Sequence, residues 1–151
     1  MIHSWRLSQL PVTEVIDRLI AAGLDSIPGG GAEILVDRVR QALHCYGKAS
    51  ADEWLDVMRT AHTLGIRSTA TVMFGHVDRY DHWARHLLRI RDLQADTGGF
   101  TEFVPLPFVH MEAPIYLKGR SRKGPNFREA GLMHAAQRHA SHPFGPNVKP
   151  D

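Results

Sequence analysis

Residues Ile66 to Phe74 read IRSTATVMF. β-branched residues crowd this run, so it is expected to be a strand. In front of it, Trp54, Leu55, Met58, Ala61 and Leu64 recur at the spacing of one helical face, with Gly65 as the stop. Ser50 and Glu53 stand three apart ahead of that stripe, the spacing of a capping box. Behind the strand, Tyr80 to about Ala95 is expected to be a second helix, with Trp83, Leu87, Ile90 and Leu93 facing inward and Gly98-Gly99 ending it. A strand held between two amphipathic helices is the repeating unit of a parallel α/β sheet.

The same alternation extends in both directions. Upstream, Val12, Val15, Ile16, Leu19 and Ile20 mark a helix over Thr13 to Ala22, closed by Gly23. Leu24 to Ile27 is a short apolar run, a candidate buried strand. Pro28-Gly29-Gly30-Gly31 follows as a loop, and Ala32 opens a helical stretch through Leu43. Downstream, Phe100 to Phe108 is a third strand whose far end Pro105 and Pro107 are expected to break. After a long polar loop, Asn126 and Glu129 mark the start of a last helix to about Ala140. The expected fold class is α/β, with parallel βα units in one incomplete domain over residues 1–151 and the helices on one face of a curved sheet. Three strands cannot close a barrel of about eight, so the expectation is an arc of a barrel or a small open sheet.

Composition narrows the function. Among 151 residues, 43% hydrophobic and 23% charged is ordinary for a globular chain. A formal charge of +2 gives no field that would favour nucleic acid or anionic lipid, and the basic run Lys118 to Lys123 reads as a solvated loop. No apolar stretch suits a membrane span and no signal peptide is evident, so a cytoplasmic protein is expected. The single cysteine, Cys45, can form neither an intrachain disulfide nor a four-thiolate zinc site, and cannot hold an iron–sulfur cluster alone. Of the ten histidines, His82 and His86 stand four apart on a helix, without an evident third ligand. His134, His139 and His142 are loosely spaced. No metal is expected, and solvated helix faces account for these rings.

Ligands of parallel α/β folds bind at the carboxyl ends of the strands. Three segments fall there: Pro28 to Glu33, Gly75 to Asp78, and Pro105 to Pro114. Gly29, Gly30 and Gly31 would let the backbone approach a ligand, helix-opening N–H groups would receive an anion, and Glu33 would accept from ribose hydroxyls. From spacing alone, a tight strand-to-helix turn with Glu33 offsetting the helix dipole is the favoured reading, since a short glycine run is a weak signal. His76 suits an acid, a base or a hydrogen-bond donor near neutral pH, while Asp78 suits a helix cap.

These segments also carry a resemblance. Ala22–Leu35 (AGLDSIPGGGAEIL), Ala61–Asp78 (AHTLGIRSTATVMFGHVD) and Thr97–His110 (TGGFTEFVPLPFVH) are similar to radical S-adenosylmethionine enzymes that make deazaflavins and menaquinone precursors. The third segment, with Ala113-Pro114-Ile115-Tyr116-Leu117, resembles the tyrosine-using half of the FO synthase group. The glycine-rich first segment is equally typical of the menaquinone-pathway futalosine enzymes, such as the dehypoxanthine futalosine cyclases. The likeness covers about residues 20–133.

The resemblance implies a partial or full radical S-adenosylmethionine βα barrel, S-adenosylmethionine and a four-iron four-sulfur cluster as cofactors, and tyrosine and a ribitylaminouracil as small-molecule substrates. The product would be a precursor of a deazaflavin cofactor. It implies S-adenosylmethionine contacts at Gly29, Gly30, Gly31 and Glu33. It implies others at Thr71, Met73, Gly75 and Asp78, where Thr71 and Asp78 depart from the family's G-x-I-x-G-x-x-E-like pattern. It implies substrate contacts at His76, Glu102, Pro105, Pro107 and His110. The family's C-x-x-x-C-x-x-C cluster motif is absent, and Ser4 to Thr13 fits the family poorly. The chain is therefore expected to be a C-terminal piece, inactive alone and completed by a missing N-terminal half. A non-catalytic module binding a nucleoside or a partner chain is the other expectation.

Overall fold

The computed structural model describes residues 9–43 and 49–140. Cys45, His142 and residues 1–8 lie outside them. The element order is α1 (Val12–Ala21), β1 (Ser26–Ile27), α2 (Asp37–Ala42), α3 (Ala51–Thr63), β2 (Arg67–Phe74), α4 (Tyr80–Thr97), β3 (Phe100–Pro107), α5 (Pro114–Leu117) and α6 (Phe127–Ala140). Among the described residues, three strands form one parallel sheet in the order β1-β2-β3, an open arc that does not close into a barrel.

β2 is the centre of this sheet, and its alternation sorts the two faces. Ser68, Ala70, Val72 and Phe74 are buried, whereas Arg67 is exposed and Thr69, Thr71 and Met73 are half-buried. The buried face meets Trp54, Met58 and Ala61 of α3, Trp83, Leu87, Ile90 and Leu93 of α4, and Met133 of α6 in one apolar cluster. Phe74 and Trp83 meet edge to face at 5.2 Å, and Trp54 stacks on Phe100 at 6.3 Å. Helix ends follow local chemistry. Ser50 and Glu53 form the reciprocal capping box expected of them, at 3.1 and 2.7 Å. Asn126 and Glu129 do the same for α6, at 3.0 and 2.8 Å. Gly98 closes α4 at φ +61, a left-handed cap that glycine adopts without a Cβ penalty.

Two expectations are corrected. Pro105 and Pro107 do not break β3, which runs through both and pairs them with Val72 and Phe74. Phe108 N–H donates to Phe74 O at 2.8 Å. By the two-residue period of a strand, positions 104 and 106 also turn their N–H toward β2, and positions 105 and 107 turn away. Among the described residues β3 is an edge strand, so the donors that proline lacks are ones the sheet does not use. The second correction is the helix expected from Ala32. Ala32 to Val36 is not helical, and α2 is only the six residues Asp37–Ala42.

Candidate functional site

The glycine loop leaves β1 and runs on beside β2. Gly29 N–H donates to Thr69 Oγ1 at 2.8 Å, and Thr71 Oγ1 donates to Gly29 O at 2.7 Å. A Cβ on Gly29 would lie 2.6 Å from Thr69 O, so only glycine allows this approach to β2. Farther on, Met73 N–H donates to Glu33 O at 2.9 Å. The remaining carbonyls are held from below. Trp54 Nε1 reaches Gly30 O at 3.4 Å, and the buried Arg40 donates to Gly31 O, Ala32 O and Ala49 O at 3.1, 2.5 and 2.5 Å. The loop's acceptors thus point into the protein. Gly30 and Gly31 are exposed, and a Cβ on either would meet nothing within 4 Å.

Because the loop opens no helix, an anion site on helix N–H groups does not form there. Glu33 is instead held at φ +47, a left-handed conformation uncommon outside glycine. Strain of that kind costs of order 1–3 kcal/mol and concentrates where ligands are held, which keeps Glu33 a candidate ligand contact.

The turn after β2 is internal. Asp78 is buried and accepts from Gly75 N–H at 2.9 and 3.0 Å, His76 N–H at 2.6 Å and the Trp83 indole N–H. It ties strand, turn and α4 together. The His76 ring is also buried: Nε2 lies 2.8 Å from Met73 O, and Nδ1 accepts from Val77 N–H at 2.7 Å. That pattern places the ring proton on Nε2. Burial lowers the His76 pKa, against the opposing pull of Asp78, the Met73 carbonyl and Glu33, so the ring is neutral at neutral pH. Above the turn, Gly124 and Pro125 cover Gly75, whose φ of +93 and closeness to the Pro125 ring both require glycine. Arg122 N–H donates to His76 O at 3.2 Å, so the basic run folds over the end of β2. Glu129 anchors it, accepting from the Arg122 guanidinium at 2.6 Å. Burial pushes the Glu129 carboxyl up, but the Asn126 N–H and Arg122 outweigh it and hold the pKa low.

β3 divides the expected substrate contacts between two faces. Paired residues of parallel strands share a face. Glu102, paired with Thr69, therefore lies on the open face with Val104 and Leu106, beside Thr71 and Met73. Pro105 and Pro107 share the helix-covered face with Val72 and Phe74. His110 lies beyond the strand, edge to face with Tyr116 at 4.7 Å. Sequence spacing gave no sign of Arg40, of the Thr69–Gly29 bond, or of the 121–125 crossing. Each joins segments that are separate along the chain.

Of the helix histidines, His134 and His139 are exposed to solvent as expected, whereas His86 is not. His86 is fully buried and its Nδ1 accepts from Leu35 N–H at 3.0 Å, while His82 Nδ1 accepts from Arg79 N–H at 3.2 Å. Among the described residues, no three His, Cys, Asp or Glu side chains converge as a metal site. With one cysteine in the sequence, the chain does not supply three thiolates for an iron–sulfur cluster. S-adenosylmethionine would find room over Gly30 and Gly31, which are exposed and where a Cβ would meet nothing within 4 Å.

No protein-family model matches the chain. Curated relatives do. It is 49% identical over 140 residues to FO synthase of Streptomyces coelicolor, covering 93% of this chain and 16% of that protein. It is 50% identical over 131 residues to FO synthase of Mycobacterium tuberculosis, covering 87% of this chain and 15% of that protein. It is 46% identical over 144 residues to the 5-amino-6-(D-ribitylamino)uracil–L-tyrosine 4-hydroxyphenyl transferase of Methanopyrus kandleri, covering 95% of this chain and 39% of that protein. The chain spans well under half the length of these relatives. The chain is thus homologous to one segment of longer proteins of the FO synthase group, the group that its motifs resemble.

Proposed function

We propose that this chain forms part of the wall of an FO synthase-type active site, in a transferase that joins a tyrosine-derived fragment to a ribitylaminouracil on the way to a deazaflavin. The observation that carries the proposal is 46% identity, over 95% of the chain, to a protein named for that ribitylaminouracil and tyrosine. S-adenosylmethionine, with a cluster held elsewhere, would supply the radical chemistry. The residues here bind and shape. Gly30 and Gly31 leave room for the adenosyl group, Glu33 accepts from its ribose, and Met73 and Thr71 line the adjoining strand. Glu102 and His110 border the substrates. Asp78 and His76 hold the β2 turn in place instead of touching the ligand directly, because their polar atoms are already bonded within the turn. Activity requires cluster thiolates from residues beyond this sequence, whether in the same polypeptide or a partner.

The test is a chimera. This chain's residues replace the homologous segment of the Methanopyrus transferase, and the cluster is reconstituted anaerobically. The proposal expects conversion of tyrosine and the ribitylaminouracil within about tenfold of the parent. A chimera that folds and carries its cluster, yet converts neither substrate, would overturn it.

A further inference from the structure

The connection from β3 to α6 leaves and returns through one neck. At its start, Phe108 N–H donates to Phe74 O at 2.8 Å. At its end, Gly124 packs so closely on Phe108 O that a Cβ there would overlap it. Arg122 clamps the same neck, through its N–H to His76 O at 3.2 Å and its guanidinium to the buried Glu129 at 2.6 Å. A surface loop whose two ends meet in this way is an Ω-loop. Its neck stands at the carboxyl ends of β2 and β3, the end where ligands of parallel α/β folds bind.

The body above the neck is held by its own bonds. Ala113 N–H donates to His110 O at 3.0 Å, Gly119 N–H to Tyr116 O at 2.8 Å and Arg120 N–H to Ile115 O at 3.0 Å. The His110 ring meets Tyr116 within the same body. α5, at its centre, has no buried residue. Val109, Met111 and Leu117 are 60%, 71% and 71% exposed, so in this position their apolar area stabilises little. A matching surface begins three residues before Val109, where Leu106, on the open face of β3, is 46% exposed. A loop clamped at its neck and without core contacts at its centre opens at low cost. We propose that residues 109–120 are a lid, which closes over a substrate at the carboxyl ends of β2 and β3 and carries Val109, Met111 and Leu117 toward it and toward Leu106. Substrate shifts the loop to the closed position because those apolar contacts exist only there. The lid takes its substrate, tyrosine beside S-adenosylmethionine, from the function proposed above.

The test is limited trypsin digestion of the reconstituted chimera, without reductant so that nothing turns over, with the cut sites read by mass spectrometry. Without ligand, the first cuts in the loop should follow Lys118 and Arg120, which are exposed on the body. Lys123 is also exposed, but it belongs to the clamped neck and should be cut slowly in both states. Tyrosine with S-adenosylmethionine should slow the cuts after Lys118 and Arg120 by about tenfold, since proteolysis follows the open population. Met111→Ser with Leu117→Ser should lose that protection and raise the KM for tyrosine, with cutting of the unliganded protein unchanged. Leu88→Ser, at an exposed position of α4, should keep the protection and the KM. If a chimera that converts its substrates is cut equally with and without them, the lid is overturned and the proposed function stands. If Lys118 and Arg120 resist trypsin before any ligand is added, the loop packs against the rest of the transferase, and the lid is overturned as well. A chimera that converts neither substrate counts against the proposed function. Protection by the ligands in that chimera would still support the lid, and its absence would overturn both.

Discussion

Asp78 accepts from two main-chain N–H groups and an indole, all buried, and that inventory fixes what its loss would do. Asp78→Ala strands three donors away from water, at about 1–3 kcal/mol for each buried unsatisfied group, with partial relief from relaxation. Chemical denaturation should show a loss of about 3 kcal/mol or more. A loss below about 1 kcal/mol would mean that the turn does not rest on this carboxylate. Gly75→Ala strains a φ of +93 and drives a methyl into Pro125, so it should cost about 2–4 kcal/mol in the same measurement. Gly30→Ala, facing open space, should cost less than about 1 kcal/mol. The sequence showed these glycines and this aspartate as punctuation after strands, which was enough to place them at one edge. It gave no sign of which faced open space and which were buried. Asp78 in a G-x-x-D spacing reads alike whether its carboxylate turns outward or back onto the turn, and only the position of Trp83 decides.

At the scale of elements, His62 links four of them. Its Nδ1 lies 2.7 Å from Thr97 Oγ1, its Nε2 lies 2.7 Å from Ser68 Oγ, and Gly99 leaves room for the ring at the start of β3. Burial, with Arg59 and Arg67 nearby, lowers its pKa to about 4. Burial lowers that of His86 to about 3. Both rings are neutral in the folded chain at pH values where the unfolded chain begins to bind protons. Their contribution is therefore fully present above about pH 6.5 and is lost as pH falls from there, toward about 4 for His62 and about 3 for His86. The melting temperature should drop steeply from pH 7 to pH 4.5, and His62→Gln should shrink that drop. An equal drop in the variant would show that the His62 ring does not carry it. Helix and strand positions were legible at this scale, because apolar stripes at spacings of 3.6 and 2 report burial directly. The persistence of β3 through Pro105 and Pro107 was not, since whether a missing N–H matters depends on which side has a neighbouring strand. The shortness of α2 was hidden for a similar reason: Ala32, Ile34 and Leu35 are fully buried beside β2 without being helical.

At the scale of the molecule, helices cover one face of a three-stranded arc, and the other face keeps Thr69, Thr71, Met73, Glu102, Val104 and Leu106 together. No helix among the described residues is long and apolar enough to cross a membrane. The central claim is that the ligand lies on this uncovered face, against Gly30 and Gly31, while the turn at Gly75 to Asp78 serves as its internal support. The most direct measurement is a crystal structure of the chimeric transferase bound to S-adenosylmethionine. The account predicts the adenosyl group over Gly30 and Gly31 and beside Met73, with the Asp78 carboxylate still bonded to Gly75 N–H, His76 N–H and Trp83. An adenosyl group on the helix side of the sheet, or an Asp78 carboxylate turned out to meet it, would contradict the account.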